Sequence, residues 1–166
     1  AVLGGYDWGA RSADIVSVTG YQHAKRNDQE ETDANPLPVI TASYIARQNT
    51  FSQELRLQSS GKPALRYVFG LYYAHDDLTN NSAYDVLAIL PADPLSGIGR
   101  FVWPLAQKTD SYAAFGQLDY DLTSRLTATV GLRYSADHKD FHYFSGETNT
   151  GTPFFTFDGS KTFDSV

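Results

Sequence analysis

The chain has 166 residues, a formal net charge of −6 and a pI near 5.0. That balance disfavours nucleic acid as a partner, and the absence of cysteine excludes a disulfide framework and thiolate metal sites. No methionine is present, no basic stretch leads into an apolar signal segment, and no run approaches the roughly 18 apolar residues of a spanning helix.

The chain therefore reads as a fragment or processed product, and any meeting with a membrane is through strands. Its 11 Tyr and 10 Phe favour strands over helices. In chain order, Ala1–Trp8 is the tail of a strand that turns through Asp7–Arg11. Ile15–His23 follows, rich in β-branched residues. Its two faces, Ile15, Ser17, Thr19 and Tyr21 against Val16, Val18, Gly20 and Gln22, do not sort by polarity, so its orientation stays open. Ile45–Gln58 sets Phe51, Leu55 and Leu57 against Ser52, Glu54, Arg56 and Gln58. Ala64–Ala74 aligns Leu65, Tyr67, Phe69, Leu71 and Tyr73, with a mixed opposite face.

The clearest pattern spans Ser111 to Tyr134. Tyr112, Ala114, Gly116, Leu118 and Tyr120 alternate with mostly polar residues, and so do Leu126, Ala128, Val130, Leu132 and Tyr134. A period of two means one apolar and one polar face, and the short polar turn between the two runs makes a hairpin. Centring that turn on Thr123 sets Tyr120 against Leu126, Leu118 against Ala128 and Tyr112 against Tyr134. Centring the earlier turn on Gly61 sets Leu57 against Leu65, Leu55 against Tyr67 and Phe51 against Leu71. Both registers bring the apolar sets to one side.

Short connections (Asp7–Arg11, Ser59–Pro63, Asp121–Arg125) alternate with long ones (Ala24–Tyr44, His75–Ala106), and Asp137–Val166 forms a long polar and aromatic tail. Tight turns at one end and long loops at the other are the layout of outer-membrane barrels. Tyr112 to Tyr120 covers roughly 27 Å of strand, or about 20 Å of height once tilted, close to the apolar band of such barrels. Tyr112 and Tyr134 then sit in the outer aromatic girdle and Tyr120 in the inner one, with Leu118, Leu126, Val130 and Leu132 facing lipid. The expected fold is all-β: an antiparallel transmembrane β-barrel segment of about six strands, with long extracellular loops and short periplasmic turns.

Four pieces in order carry a family resemblance. Val18–Tyr21, Phe51–Ser59 (FSQELRLQS), Tyr67–Tyr73 (YVFGLYY) and the hairpin from Ser111 (SYAAFGQ) to Tyr134 (GLRY) resemble strands of TonB-dependent outer-membrane receptors. The resemblance covers about Ile15 to Phe141. It implies a barrel of about 22 strands, an N-terminal plug, and uptake of a scarce nutrient, an iron–siderophore first, with energy from TonB through the plug. The bacterial outer membrane and its lipid are then the surroundings. The sequence shows no plug, TonB box, signal peptide or aromatic-ended final strand, so it is expected to be an interior piece of a longer receptor.

Individual residues admit two readings each. His138, Asp140 and His142 alternate along a strand, which suits a metal site, but no fourth ligand is evident and a strand entering a loop is the plainer account. Glu54, Arg56, Arg66 and Arg133, on the lumen side, are ligand contacts or wall residues holding one another. The segment Tyr84–Trp103 is unusually apolar for an exterior loop, so Tyr84, Phe101 and Trp103 are candidate ligand contacts, or else pack over the barrel mouth. Phe154, Phe155 and Phe157 pose the same question. No catalytic motif is present, nothing calls for a cofactor, and the chain is not expected to be an enzyme. The competing functions are a passive porin-like channel and a soluble β-rich glycan-binding module.

Overall fold

The computed structural model describes residues 3–7, 13–32, 34, 36, 39–61, 64–86, 99–148 and 152–166. They form one antiparallel sheet of seven strands whose order in space is their order in sequence: β1 (Leu3–Asp7), β2 (Ala13–Glu31), β3 (Ile40–Ser59), β4 (Leu65–Val86), β5 (Arg100–Thr123), β6 (Leu126–Glu147) and β7 (Pro153–Ser165). This is an up-and-down meander, and within this chain the sheet does not close.

One sheet has no second layer to bury a face against. Among the described residues the buried apolar side chains are all alanines: Ala42, Ala74, Ala83 and Ala113. The large apolar side chains instead stand exposed on a single face. Pairing places Ile15, Leu57, Phe69, Gly116 and Leu132 in one row across β2–β6, and Leu118 beside Tyr67 and Val130. Leu71 (62% exposed), Val130 (65%) and Leu132 (69%) stand in one contiguous apolar face, of the kind that marks a membrane or partner contact. The opposite face of the same rows carries Arg56, Gly70, Phe115, Gln117, Thr129 and Arg133. The orientation of β2, open from sequence, is fixed by pairing: Ile15, Ser17, Thr19 and Tyr21 join the apolar face.

Three expectations are corrected. The strands are longer than the apolar alternation, 19 to 24 residues in β2–β6, so most of the supposed loops Ala24–Tyr44 and His75–Ala106 is strand. A strand of 22 residues is about 70 Å long and rises about 55 Å when tilted, against an apolar band about 25 Å tall. In such barrels both faces meet water beyond the band, and there the backbone ladder continues without the hydropathy signal. The tail holds a further strand, β7, for the same reason. Residues 8–12, which hold most of the expected turn Asp7–Arg11, and the whole segment 87–98 lie outside the described residues.

The third correction is register. Leu55 pairs with Leu71, and Leu57 with Phe69. Leu118 pairs with Val130 and Tyr120 with Ala128, after an irregularity between Asp121 and Thr123. The shifts, four and two residues, are even, so every side chain keeps its expected face. The turn at Gly61 uses a positive φ of 77°, which suits glycine.

Candidate functional site: the inward face and the outer mouth

The aromatic residues of the apolar face give the strand tilt. Tyr21 pairs with Phe51; Tyr73 lies two residues below Phe51's partner, His75; Tyr73 pairs with Tyr112; Tyr134 lies two residues below Tyr112's partner, Ala136. The line descends four residues, about 13 Å, over four strand spacings of about 4.8 Å. A level girdle then requires strands inclined by about 35°, within the range of outer-membrane barrels. Tyr73 and Tyr112 touch within it, ring centroids 5.2 Å apart.

Opposite this band, the inward wall is polar and largely self-satisfied. Arg56 pairs with Glu54 on its own strand. Arg133 lies 5.6 Å from the ring of Phe115 and 6.0 Å from that of Tyr72, and donates from Nε to Ser135 Oγ at 3.0 Å. The Tyr72 and Phe115 rings account for the mixed inward face of β4 and its partner strand. Gln48 Nε2 donates to Asp76 Oδ1 at 2.8 Å, and Thr50 also donates to Asp76.

Just beyond Tyr120, the Arg66 guanidinium grips Asp121 through two contacts of 2.6 and 2.8 Å, and Thr127 Oγ1 donates to it at 2.7 Å. The Arg66 hydrogen bond first, then that from Thr127, holds the Asp121 carboxyl well below the usual range. A carboxylate whose folded pKa is lowered stabilises the fold above its unfolded value, about 4, and loses that contribution as pH falls below it. Both partners are about a third exposed, so the contribution is small. In detergent, the thermal midpoint of the protein should decline on acidification below about pH 4. Asp121→Asn should flatten that decline; an identical acid profile would show that the pair carries no pH-dependent stability.

The outer ends of the strands carry a different inward surface. Tyr84 and Trp103 meet edge to face at 5.1 Å, and the Tyr84 and Tyr44 hydroxyls are 3.1 Å apart. Arg26, paired with Asp28, lies 5.5 Å from the Tyr44 ring. The hydrogen bond to Tyr84 pushes the Tyr44 phenol up to about 12, so it stays neutral at any physiological pH. Beside them Phe101 stacks on Phe154 (6.0 Å), Tyr143 meets Phe155 (6.1 Å) and Phe141 meets Phe157 (5.9 Å). Such a surface offers ring faces for stacking, two phenol hydroxyls and an Arg26–Asp28 ion pair.

The candidate residues thus separate into two groups. Tyr84, Phe101 and Trp103 come together at the mouth, Tyr84 being the direct partner of Phe101. Glu54, Arg56 and Arg133 lie about 12 residues deeper, roughly 40 Å along the strands. Tyr44, Arg26 and Tyr143 were missed because they fell in presumed loops; the alternation of Phe141 with Tyr143 and of Phe155 with Phe157 was the available signal. His138, Asp140 and His142 do share a face, but His142 pairs with Asp158 and His138 bonds Thr162 Oγ1 at 2.9 Å. No cluster suited to a metal occurs among the described residues.

Comparison with known proteins agrees with this geometry. The sequence matches the family described as TonB dependent receptor-like, beta-barrel, over residues 2–166. The chain belongs to the TonB-dependent receptor β-barrel family. No curated protein sequence matches it. Among solved structures, the ferric yersiniabactin uptake receptor FyuA from Yersinia pestis superimposes with a TM-score of 0.77 at 23% identity. That match covers 98% of this chain and 23% of FyuA, so the chain spans about a quarter of that receptor's length. At this identity the likeness is one of fold. The family is one of outer-membrane transport receptors.

Proposed function

We propose that this TonB-dependent receptor segment forms part of the wall and outer mouth of a barrel that imports an iron–siderophore complex, driven through a plug domain coupled to TonB. The aromatic inward surface at the mouth, centred on Tyr44, Tyr84 and Trp103, is the observation that carries the reading. Planar chelating groups stack on such rings, and phenol hydroxyls donate hydrogen bonds to their oxygens. The likeness to FyuA, whose ligand is a ferric siderophore, supports the ligand class. Phe101 extends the stacking surface; Glu54, Arg56 and Arg133 line the path below it.

The test uses the complete receptor that carries this segment. Trp103→Ala and Tyr84→Ala should each weaken ferric-siderophore binding by about fivefold to thirtyfold, the range of an interface anchor. Uptake should stop when TonB is removed. Unchanged affinity in both variants would move the ligand elsewhere, and uptake independent of TonB would favour a passive channel.

A further inference from the structure

At the mouth, three oxygen-bearing side chains gather around one small residue. Pairing sets Glu30, Ala42 and Tyr84 in a row across β2, β3 and β4, and Tyr44 stands on the same inward face two residues along β3 from Ala42. The Glu30 and Tyr84 backbones are two strand spacings apart, about 10 Å, and only an alanine methyl stands between them. Ala42 is 0% exposed, so its longer neighbours cover it. The Tyr44 and Tyr84 hydroxyls lie 3.1 Å apart. The Glu30 carboxylate approaches Tyr44 closely enough to add to the hold on its proton that the Tyr84 hydrogen bond begins.

The plain account of this cluster is a pair of phenols tying β3 to β4. Their spacing is long for that purpose, since O–H···O bonds usually measure about 2.7–2.8 Å. It is close to the edge of a coordination octahedron: neighbouring oxygens bound to one ion at about 2.0–2.1 Å stand about 2.9 Å apart. Two phenols and a carboxylate are hard oxygen donors, the kind a highly charged cation takes, and phenolate is a known iron ligand. With both phenols ionised, the three donors carry three negative charges, equal and opposite to the ferric ion. Arg26, the cation beside Tyr44, is itself paired with Asp28 and leaves that charge unopposed. Three donors on one wall do not enclose a bare ion, and no group of His, Asp and Glu among the described residues does so either. They are enough for an ion that arrives partly chelated.

We propose that Tyr44, Tyr84 and Glu30 bind the iron of the cargo directly, filling coordination positions that an incomplete chelate leaves to water. The favoured cargo is then a ferric complex with open positions and residual positive charge. Each of the three oxygens displaces one water from the iron; each phenol releases its proton to solvent, and the iron stays ferric throughout. A chelate that already surrounds its iron offers no open position and meets only the rings. The inference deepens the ferric-ligand reading of the mouth and rests on it.

The experiment gives the complete receptor, purified in detergent, two probes. One is one-to-one ferric iminodiacetate, whose chelator leaves three positions to water; the other is the ferric complex of a hexadentate tris-hydroxamate, which leaves none. Resonance Raman spectra detect iron-bound phenolate by ring modes that neither probe possesses. The parent should show these modes with the iminodiacetate complex and lack them with the hydroxamate complex. Tyr44→Phe and Tyr84→Phe keep the rings and lose the oxygens. Each should weaken iminodiacetate-complex binding by about tenfold to hundredfold, the loss usual when a metal site is altered, and together they should abolish the modes. Glu30→Gln should weaken binding and retain the modes, whereas Tyr21→Phe on the outward face should change neither. Retained strand signal and thermal cooperativity exclude misfolding of the variants. Binding without phenolate modes overturns the proposal, as do modes that survive the double substitution. Equal modes with the hydroxamate complex also overturn it, because the tyrosines would then strip iron from its chelator rather than complete its shell. The underlying reading is scored separately. A hydroxamate complex that binds and is weakened by Trp103→Ala, with no phenolate modes from either probe, removes this inference alone; a parent that binds neither ferric probe removes both.

Discussion

Replacing Val130 by Arg should cost about 2–4 kcal/mol of folding stability in a bilayer, while Thr129→Arg on the adjacent inward position should cost close to nothing. Val130 is midway along the apolar run from Leu126 to Tyr134, opposite Leu118, and is 65% exposed. If that exposure were to water, an arginine there would be harmless or would improve solubility. If it is to hydrocarbon, the guanidinium must either leave its hydration shell or distort the bilayer, and near the midplane its side chain is too short to reach either interface. Equilibrium unfolding of the complete receptor in vesicles reads the difference. Equal costs for the two substitutions would mean that the faces are wrongly assigned, and a soluble glycan-binding module would show the opposite order.

The same contrast explains what was legible in the sequence. Between the girdles of an outer-membrane barrel one face meets lipid and the other meets water, and the clean alternation of Tyr112 to Tyr120 and Leu126 to Tyr134 is the pattern that such a setting demands. Above the girdle of such a barrel both faces are wet. Asp76 and Asp77, or Asn80 and Asn81, are neighbours pointing to opposite sides of β4, yet nothing in their polarity says so. The strand ends were therefore invisible, and with them the placement of Tyr44 opposite the β4 end that carries Tyr84. Register failed in a related way. A lipid face fixes parity, because an odd slip would bury charge in hydrocarbon, but it leaves even slips free. Leu57 against Leu65 and Leu57 against Phe69 are equally apolar pairs. What selects between them is the irregular geometry of a turn, such as the shift between Asp121 and Thr123, which carries no hydropathy signal.

Gly70→Val should destabilise the barrel by about 1–3 kcal/mol, although valine ordinarily improves a strand over glycine. The reversal comes from a reciprocal arrangement on β4 and β5. Gly70 pairs with Phe115 and Phe69 pairs with Gly116, so two successive positions each oppose a ring to a glycine, on opposite faces of the sheet. A Cβ added at Gly70 would fall within the ring of Phe115, and one added at Gly116 would lie 2.9 Å from the ring of Phe69. Each ring thus covers the bare backbone across from it, the role that aromatic residues play beside glycines in sheets. On the inward side Phe115 is in turn the platform for Arg133, so displacing it disturbs the wall as well as the ladder. Double substitutions separate the two faces. Phe115→Ala should relieve much of the cost of Gly70→Val, giving strong coupling, whereas Phe69→Ala should simply add to it. Additivity in both combinations would show that Phe115 does not occupy the space over Gly70. Coupling confined to the first would establish that each face of β4–β5 is packed independently, one against lipid and one against the lumen.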